Sequence, residues 1–201
     1  MRRFLASLLA LAFLPVGCLA AGSYFGKNST TAPLDVLKVD YFSNANTAGA
    51  PDGTLRMTNP GTAPSGNICA YVLVFDPNQE LTECCGCLVT PDGLRTLSVN
   101  SDLTSNPLTG VTLQTGVVKL FSVQPLNNTC PLPGTTAAAQ LLEPGLRAWT
   151  THIQNSNFSI TETASQDATL SVTEDVRAYA ECAAIVLDGS GHGICSCGTG
   201  D

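Results

Sequence analysis

Residues 68–89 read ICAYVLVFDPNQELTECCGCLV, and the way this stretch folds decides the architecture of the chain. Ile68 to Phe75 is apolar at every position and rich in β-branched and aromatic residues, as expected of a central strand covered on both faces. Asp76-Pro77-Asn78-Gln79 then turns the chain, and Leu81 to Val89 returns antiparallel to the first strand. Mirroring about that turn sets Cys69 opposite Cys85 or Cys87, which predicts a disulfide within the hairpin. Cys84 and Cys85 are sequence neighbours, so on a strand they point to opposite faces. One of them is expected to bridge on its own sheet surface and the other to reach a different layer.

Strand patterns continue on both sides of this hairpin. Leu37, Val39 and Tyr41 alternate with Lys38 and Asp40. After the turn signal Pro51-Asp52-Gly53, Leu55 and Met57 alternate with Thr54, Arg56 and Thr58, and Asn59-Pro60-Gly61 ends that strand. Pro91-Asp92-Gly93 is a further turn. Strands near 94–99 and 116–123 flank the polar loop Asn100 to Gly110. Trp149, Thr151 and Ile153 share one strand face, which leaves His152 facing solvent on the other. Phe158 and Ile160 continue beyond a turn at Asn155-Ser156. The longest irregular stretch is 127–145, with Pro131, Pro133 and Pro144, and Cys130 is placed to staple it down.

The C-terminal part changes period. Ser171 and Glu174 have capping-box spacing, and Val176, Tyr179, Ala180 and Ala183 recur at helical intervals. The pattern predicts one helix over about 173–186, ended by Gly189-Ser190-Gly191 and carrying Cys182 about a turn from its end. A weak repeat competes: Cys69-Ala70 up to Asp76, followed by a C-x-C, is echoed by Cys182-Ala183 up to Asp188 and Cys195/Cys197. A duplicated hairpin would make 182–188 a strand, and the capping box and helical stripe speak against it. The expected fold is mainly β: a disulfide-stapled antiparallel β-sandwich of seven to nine strands with one short C-terminal α-helix.

The N-terminus sets the compartment. Met1-Arg2-Arg3, the apolar run from Phe4, and the small residues Gly17, Ala20 and Ala21 have the three-part layout of a signal peptide over 1–20. Phe4 to Val16 is too short for a transmembrane helix, which needs about 20 residues, and no later apolar run is of that length. A second reading takes Pro15-Val16-Gly17-Cys18 as a lipoprotein box, with a signal over 1–17 and a lipidated Cys18 at the cell surface. Either way 21–201 is one exported domain, secreted to the periplasm or the medium.

Cys18 then leaves the cysteine count. Cys69, Cys84, Cys85, Cys87, Cys130, Cys182, Cys195 and Cys197 remain as disulfide candidates, an even number that predicts four bridges in an oxidising compartment. Eight cysteines allow 105 pairings, which sequence does not choose among. Cys182 is expected to tie the helix to the C-terminal tail or to the 84–87 cluster. Removing Arg2 and Arg3 leaves seven basic against sixteen acidic residues, a net charge of about −9. Phosphate backbones repel such a chain, so nucleic acid is not an expected partner.

Catalytic and metal patterns are sparse. Neither cysteine cluster has the C-x2-4-C spacing of zinc sites, and no metal or cofactor is expected. His192 lies near Cys195, but a catalytic thiol must be free and an even count leaves none. Asp188 before Gly189 breaks the nucleophile-elbow pattern, and Ile194 breaks a dinucleotide-binding glycine pattern. Asn100, Asp102 and Asn106 put oxygen ligands in one loop but lack the EF-hand order and its closing Glu. Glu80/Glu83 and Glu174/Asp175 are carboxylate pairs without an aromatic-lined cleft. Asn28, Asn127 and Asn157 head glycosylation sequons.

The functional expectation is a secreted or cell-surface structural or adhesion-type protein without catalytic sites, with itself or an extracellular protein or carbohydrate as partner. In the self-associating version, the lead-in 22–34 and the 36–42 strand add to a neighbour's sheet edge. The alternatives are a small secreted hydrolase and an extracytoplasmic thiol-redox or metal-handling protein.

Overall fold

A computed structural model describes residues 35–135 and 140–198. The signal segment, Cys18 and the 22–34 lead-in lie outside the described residues. Nine strands are found among those residues: β1 (Leu37–Phe42), β2 (Thr54–Thr58), β3 (Ile68–Phe75), β4 (Leu81–Val89), β5 (Leu94–Ser98), β6 (Gly116–Val123), β7 (Arg147–Gln154), β8 (Ser159–Ala164) and β9 (Gln166–Ala168). One helix, α1 (Val172–Asp188), follows them. The strands form two antiparallel sheets, ordered β4-β3-β6-β1-β9 and β5-β2-β7-β8. A single turn of π-helix (Val99–Leu103) leaves β5, inside the stretch expected to be loop.

The layers follow from which faces are apolar. Ala70, Val72, Val74 and Leu120 of the first sheet pack on Leu55, Met57, Leu97 and Ala148 of the second. The other face of the first sheet, with Cys69, Tyr71, Leu73 and Phe121, packs on Ala178, Cys182 and Ile185 of α1. Strand β3 is therefore covered on both sides, and each of its eight residues is buried. Burial of this kind stabilises by about 1.5–3 kcal/mol per large apolar side chain. The sandwich and the C-terminal helix are as the sequence predicts.

The hairpin register departs from its expected mirror symmetry. Phe75 pairs with Leu81, and extending that pairing would set Cys69 opposite Cys87. A bulge between Val74 and Phe75 leaves Thr82 without a β3 partner and shifts everything beyond it by one residue. Cys69 then faces Leu88, while Cys85 and Cys87 pair with Val72 and Ala70. A one-residue slip moves side chains to the opposite face. Cys69 accordingly lies on the helix side, Cys85 and Cys87 lie inside the sandwich, and no intra-hairpin disulfide forms.

Helix α1 is longer than expected, and its buried stripe is shifted. The Ser171 hydroxyl caps it by accepting from the Glu174 amide at 3.1 Å, and Gly189 ends it at φ 66°. Glu174 turns instead to Lys119 of β6 at 2.5 Å, so only half of the capping box forms. Asp175, Ala178, Cys182, Ala183 and Ile185 are buried, whereas Ala180 is exposed. The segment 182–188 is helical, which removes the duplicated hairpin.

Two strands depart from their expected one-sided burial: Leu37, Val39 and Ile153 are packed as expected, but polar residues on the opposite faces are covered as well. In β1, Asp40 and Lys38 turn inward and Tyr41 is half-exposed; in β7, His152 turns inward with Ala148 and Thr150, and Trp149 faces out. Buried polar groups are tolerated where they are paired. Lys38 pairs with Asp167 directly across from it on β9, and Asp40 and His152 lie against each other. His152 is thus buried, not a solvent-facing sheet residue. Strand β1 lies between β6, along its whole length, and β9, along Leu37–Val39. On the outer side of β1, β9 pairs only with Leu37–Val39, and Asp40–Phe42 have no strand partner there among the described residues.

Candidate functional site

The eight cysteines form four disulfides that tie different layers together. Cys69–Cys130 joins β3 to the irregular stretch after β6, and Cys84–Cys182 joins β4 to α1. Cys85–Cys195 and Cys87–Cys197 join β4 to the C-terminal tail. The adjacent pair Cys84 and Cys85 splits between the helix side and the sandwich interior, as neighbours on a strand must. Tyr71 adds a fifth tie. Its hydroxyl lies 2.5 Å from both the Pro131 carbonyl and Gln140 Oε1, and burial raises its pKa well above the usual tyrosine range.

The second feature is the seam where β7 and β8 meet the end of β1. Between β8 and β9 the chain passes from one sheet to the other at Ser165, whose hydroxyl donates to Asp40 Oδ2 at 2.8 Å. Asp40 Oδ1 accepts from the Tyr41 amide at 2.9 Å and lies 3.4 Å from His152 Nε2. Thr163 Oγ1 is 2.7 Å from that same nitrogen. The Tyr41 ring stacks on the imidazole, with centroids 4.3 Å apart, and its hydroxyl accepts from Gln154 at 3.0 Å. An open groove of about 580 Å³ runs beside this seam, lined also by Val39, Val117, Thr161 and Gln166.

No protein-family model and no curated protein matches this chain. A solved structure, that of Thermotoga maritima 1070, aligns at 8% identity with a TM-score of 0.40, covering 68% of this chain and 97% of that one. A likeness this slight bears on neither fold nor function.

The seam has the residue types of a hydrolytic relay without its geometry. A relay needs the carboxylate on one ring nitrogen and the nucleophile on the other. Here Asp40 and Thr163 both approach Nε2, while Nδ1 is buried and has no hydrogen-bond partner among the described residues. Sequence alternation hid this cluster, because it assigned Asp40 and His152 to solvent. The usable signal was an acid between the apolar Val39 and Tyr41 and one of only two histidines in the chain.

The remaining candidates resolve into structural roles. His192 is exposed, and its Nδ1 lies 2.9 Å from Asn106 Oδ1, with its near neighbour Cys195 closed in a disulfide. Asn100 accepts from the Asn46 amide and Asp102 from the Ser98 amide, so both serve the backbone. Asn106 is a hub: it donates through its side chain to the Gly191 and Ile194 carbonyls and through its amide to Glu83. Glu83 is fully buried, and burial raises its pKa to about 7 against the opposing pull of the Asn106 hydrogen bond. Its supposed partner Glu80 is exposed on the turn. Among the described residues one group could ligate a metal, Cys85, Cys87 and Cys197, and all three are held in disulfides.

Proposed function

We propose that this protein is an exported structural or adhesion-type β-sandwich that acts without catalysis. The observation that carries the reading is the convergence of Asp40 and Thr163 on one nitrogen of His152, which leaves the seam as a buried cross-tie between sheets. The four disulfides support export, since bridges persist in oxidising compartments and their removal from reducing ones is rapid. They link β3, β4, α1 and the tail into one covalent framework.

The competing reading is a secreted hydrolase, favoured by an acid, an imidazole and a hydroxyl beside an open groove. One experiment separates them. The tagged full chain is localised in an exporting host, its free thiols are counted, and the purified protein is screened on ester, peptide and glycoside substrates. The expected result is an extracytoplasmic protein with no free thiol in the mature domain and no turnover. A cytoplasmic pool with free thiols overturns export, and turnover that is lost in His152→Ala overturns the non-catalytic reading.

A further inference from the structure

The two long sides of the sandwich are finished differently. Along β4 the C-terminal tail fills the side: the Cys84 amide donates to the Gly193 carbonyl at 2.8 Å, and Cys85–Cys195 and Cys87–Cys197 lock the tail in place. Along β8 nothing closes the side among the described residues. Every residue of β8 is exposed, and the strand pairs only with β7. The groove of about 580 Å³ lies on this open side, and its size falls in the range of about 300–1,000 Å³ that ligand sites occupy.

Tyr41 is braced in this groove as a platform. One face of its ring lies on His152, with centroids 4.3 Å apart, and its hydroxyl is held by Gln154 at 3.0 Å. His152 is itself buried and lies 2.7 Å from the Thr163 hydroxyl. The Tyr41 residue is nevertheless 45% exposed, and the stack on His152 leaves the other ring face to account for it. Val117, its cross-strand partner on β6, is partly open beside it. A ring held in place before a ligand arrives has little freedom left to lose on binding.

The polar lining is rich in acceptors and poor in charge. Gln154 commits an N–H to Tyr41, Gln166 commits one to the Ala164 carbonyl at 3.1 Å, and each carboxamide oxygen remains for a ligand donor. Thr161 adds a hydroxyl. No Lys or Arg is found among the described residues of the lining. Its one carboxylate, Asp40, is buried and engaged by Ser165, the Tyr41 amide and His152. A cation therefore meets no free carboxylate here. An anion meets no base, on a chain of net charge −7. A neutral ligand with several hydroxyl donors on its edge and C–H groups on its face matches both surfaces, and that is the chemistry of a pyranose.

We propose that this groove binds a stretch of a neutral pyranose polysaccharide, stacked on Tyr41 and hydrogen-bonded to Gln154, Gln166 and Thr161. The assignment rests on the adhesion-type reading above and names its ligand class. The groove is open, so a sugar chain can lie through it without an end being recognised.

The test titrates the whole exported chain, isotope-labelled for NMR, with cellohexaose, xylohexaose and mannohexaose, and with oligogalacturonate as the anionic comparison. New reducing ends are counted in each sample. The expected result is saturable binding of at least one neutral hexaose, with shifts at Tyr41 and at the Gln154 and Gln166 side chains, and no response to oligogalacturonate. Tyr41→Ala weakens binding about tenfold and Gln166→Ala about fivefold, whereas Trp149→Ala, on the outward face of β7, leaves it unchanged. Failure of all three neutral hexaoses to bind overturns the proposal and leaves the non-catalytic reading standing. Shifts centred on Trp149, or equal weakening by Trp149→Ala and Tyr41→Ala, also overturn it. New reducing ends would overturn the non-catalytic reading while supporting this ligand class.

Discussion

The Glu83 carboxyl sits inside the sandwich with Oε1 3.0 Å from the amide of Asn106. Its Oε2 is buried with no hydrogen-bond partner among the described residues. The same Asn106 grips the Gly191 and Ile194 carbonyls, so a buried acid lies directly beneath the clasp that holds the C-terminal tail.

Stability should fall as pH rises through the range set by Glu83. Its folded pKa, about 7, lies above the ordinary value of 4.5. The unfolded chain therefore releases this proton first. The stabilising contribution is complete below pH 4.5, shrinks between there and about 7, and is absent above. A gap of this size is worth about 3 kcal/mol at most. Denaturant midpoints measured from pH 4.5 to 8 should show the decline in wild type and a flatter profile in Glu83→Gln, which keeps an acceptor for Asn106. Parallel profiles would remove Glu83 as the cause.

Cys182→Ser should cost about 2–5 kcal/mol, because Cys84–Cys182 is the covalent link between the helix and the sheet. The effect should be local first. Amide exchange in α1 should accelerate before exchange in β3, whose eight residues stay covered by the second sheet on one side.

Most strands were legible because their periodicity and turn residues agree, as in 54–58 between Pro51-Asp52-Gly53 and Asn59-Pro60-Gly61. The link from Cys182 to the 84–87 cluster and the splitting of Cys84 from Cys85 were legible too, but the partner of Cys69 was not, because the bulged residue Thr82 shifts the hairpin register. A bulge leaves no compositional trace in an apolar run, yet it decides which face every later residue takes. The seam was illegible for a different reason. Alternation reports polarity, and Asp40 and His152 are polar residues that meet on two strands about 110 residues apart in sequence. Glu83 was visible only as half of a carboxylate pair with Glu80; its burial was not, because its partner amide comes from a distant loop.

Removing the Asp40 carboxylate should be more damaging than its position in a Lys/Asp alternation implies. Asp40→Ala leaves the Ser165 hydroxyl and the Tyr41 amide without this acceptor and strips the charge from beside His152. The expected loss is about 2–3 kcal/mol, with Asp40→Asn losing less because it keeps one acceptor oxygen. Thermal or denaturant unfolding of the two variants checks the order. Equal stability of wild type and Asp40→Ala would mean the seam contributes nothing.

Gly86 is the position where a single methyl group should have the largest effect for its size. It lies directly across from Tyr71 in the β3–β4 ladder, and the tyrosine ring fills the space that a side chain would occupy. A Cβ placed there would come within 2.8 Å of the Cys130 carbonyl oxygen and 3.0 Å of Tyr71 Cε1. The carbonyl belongs to the backbone held by Cys69–Cys130, so it has little freedom to retreat. Gly86→Ala should therefore cost about 1–3 kcal/mol through overpacking, despite the better strand propensity of alanine. Tyr71→Phe keeps the ring but loses the hydroxyl contacts to Pro131 and Gln140, for about 1 kcal/mol. Because both substitutions loosen the same loop, the double variant should lose less than the two single losses added together. Simple additivity would show that Gly86 and Tyr71 secure the Cys130-Pro131 backbone independently.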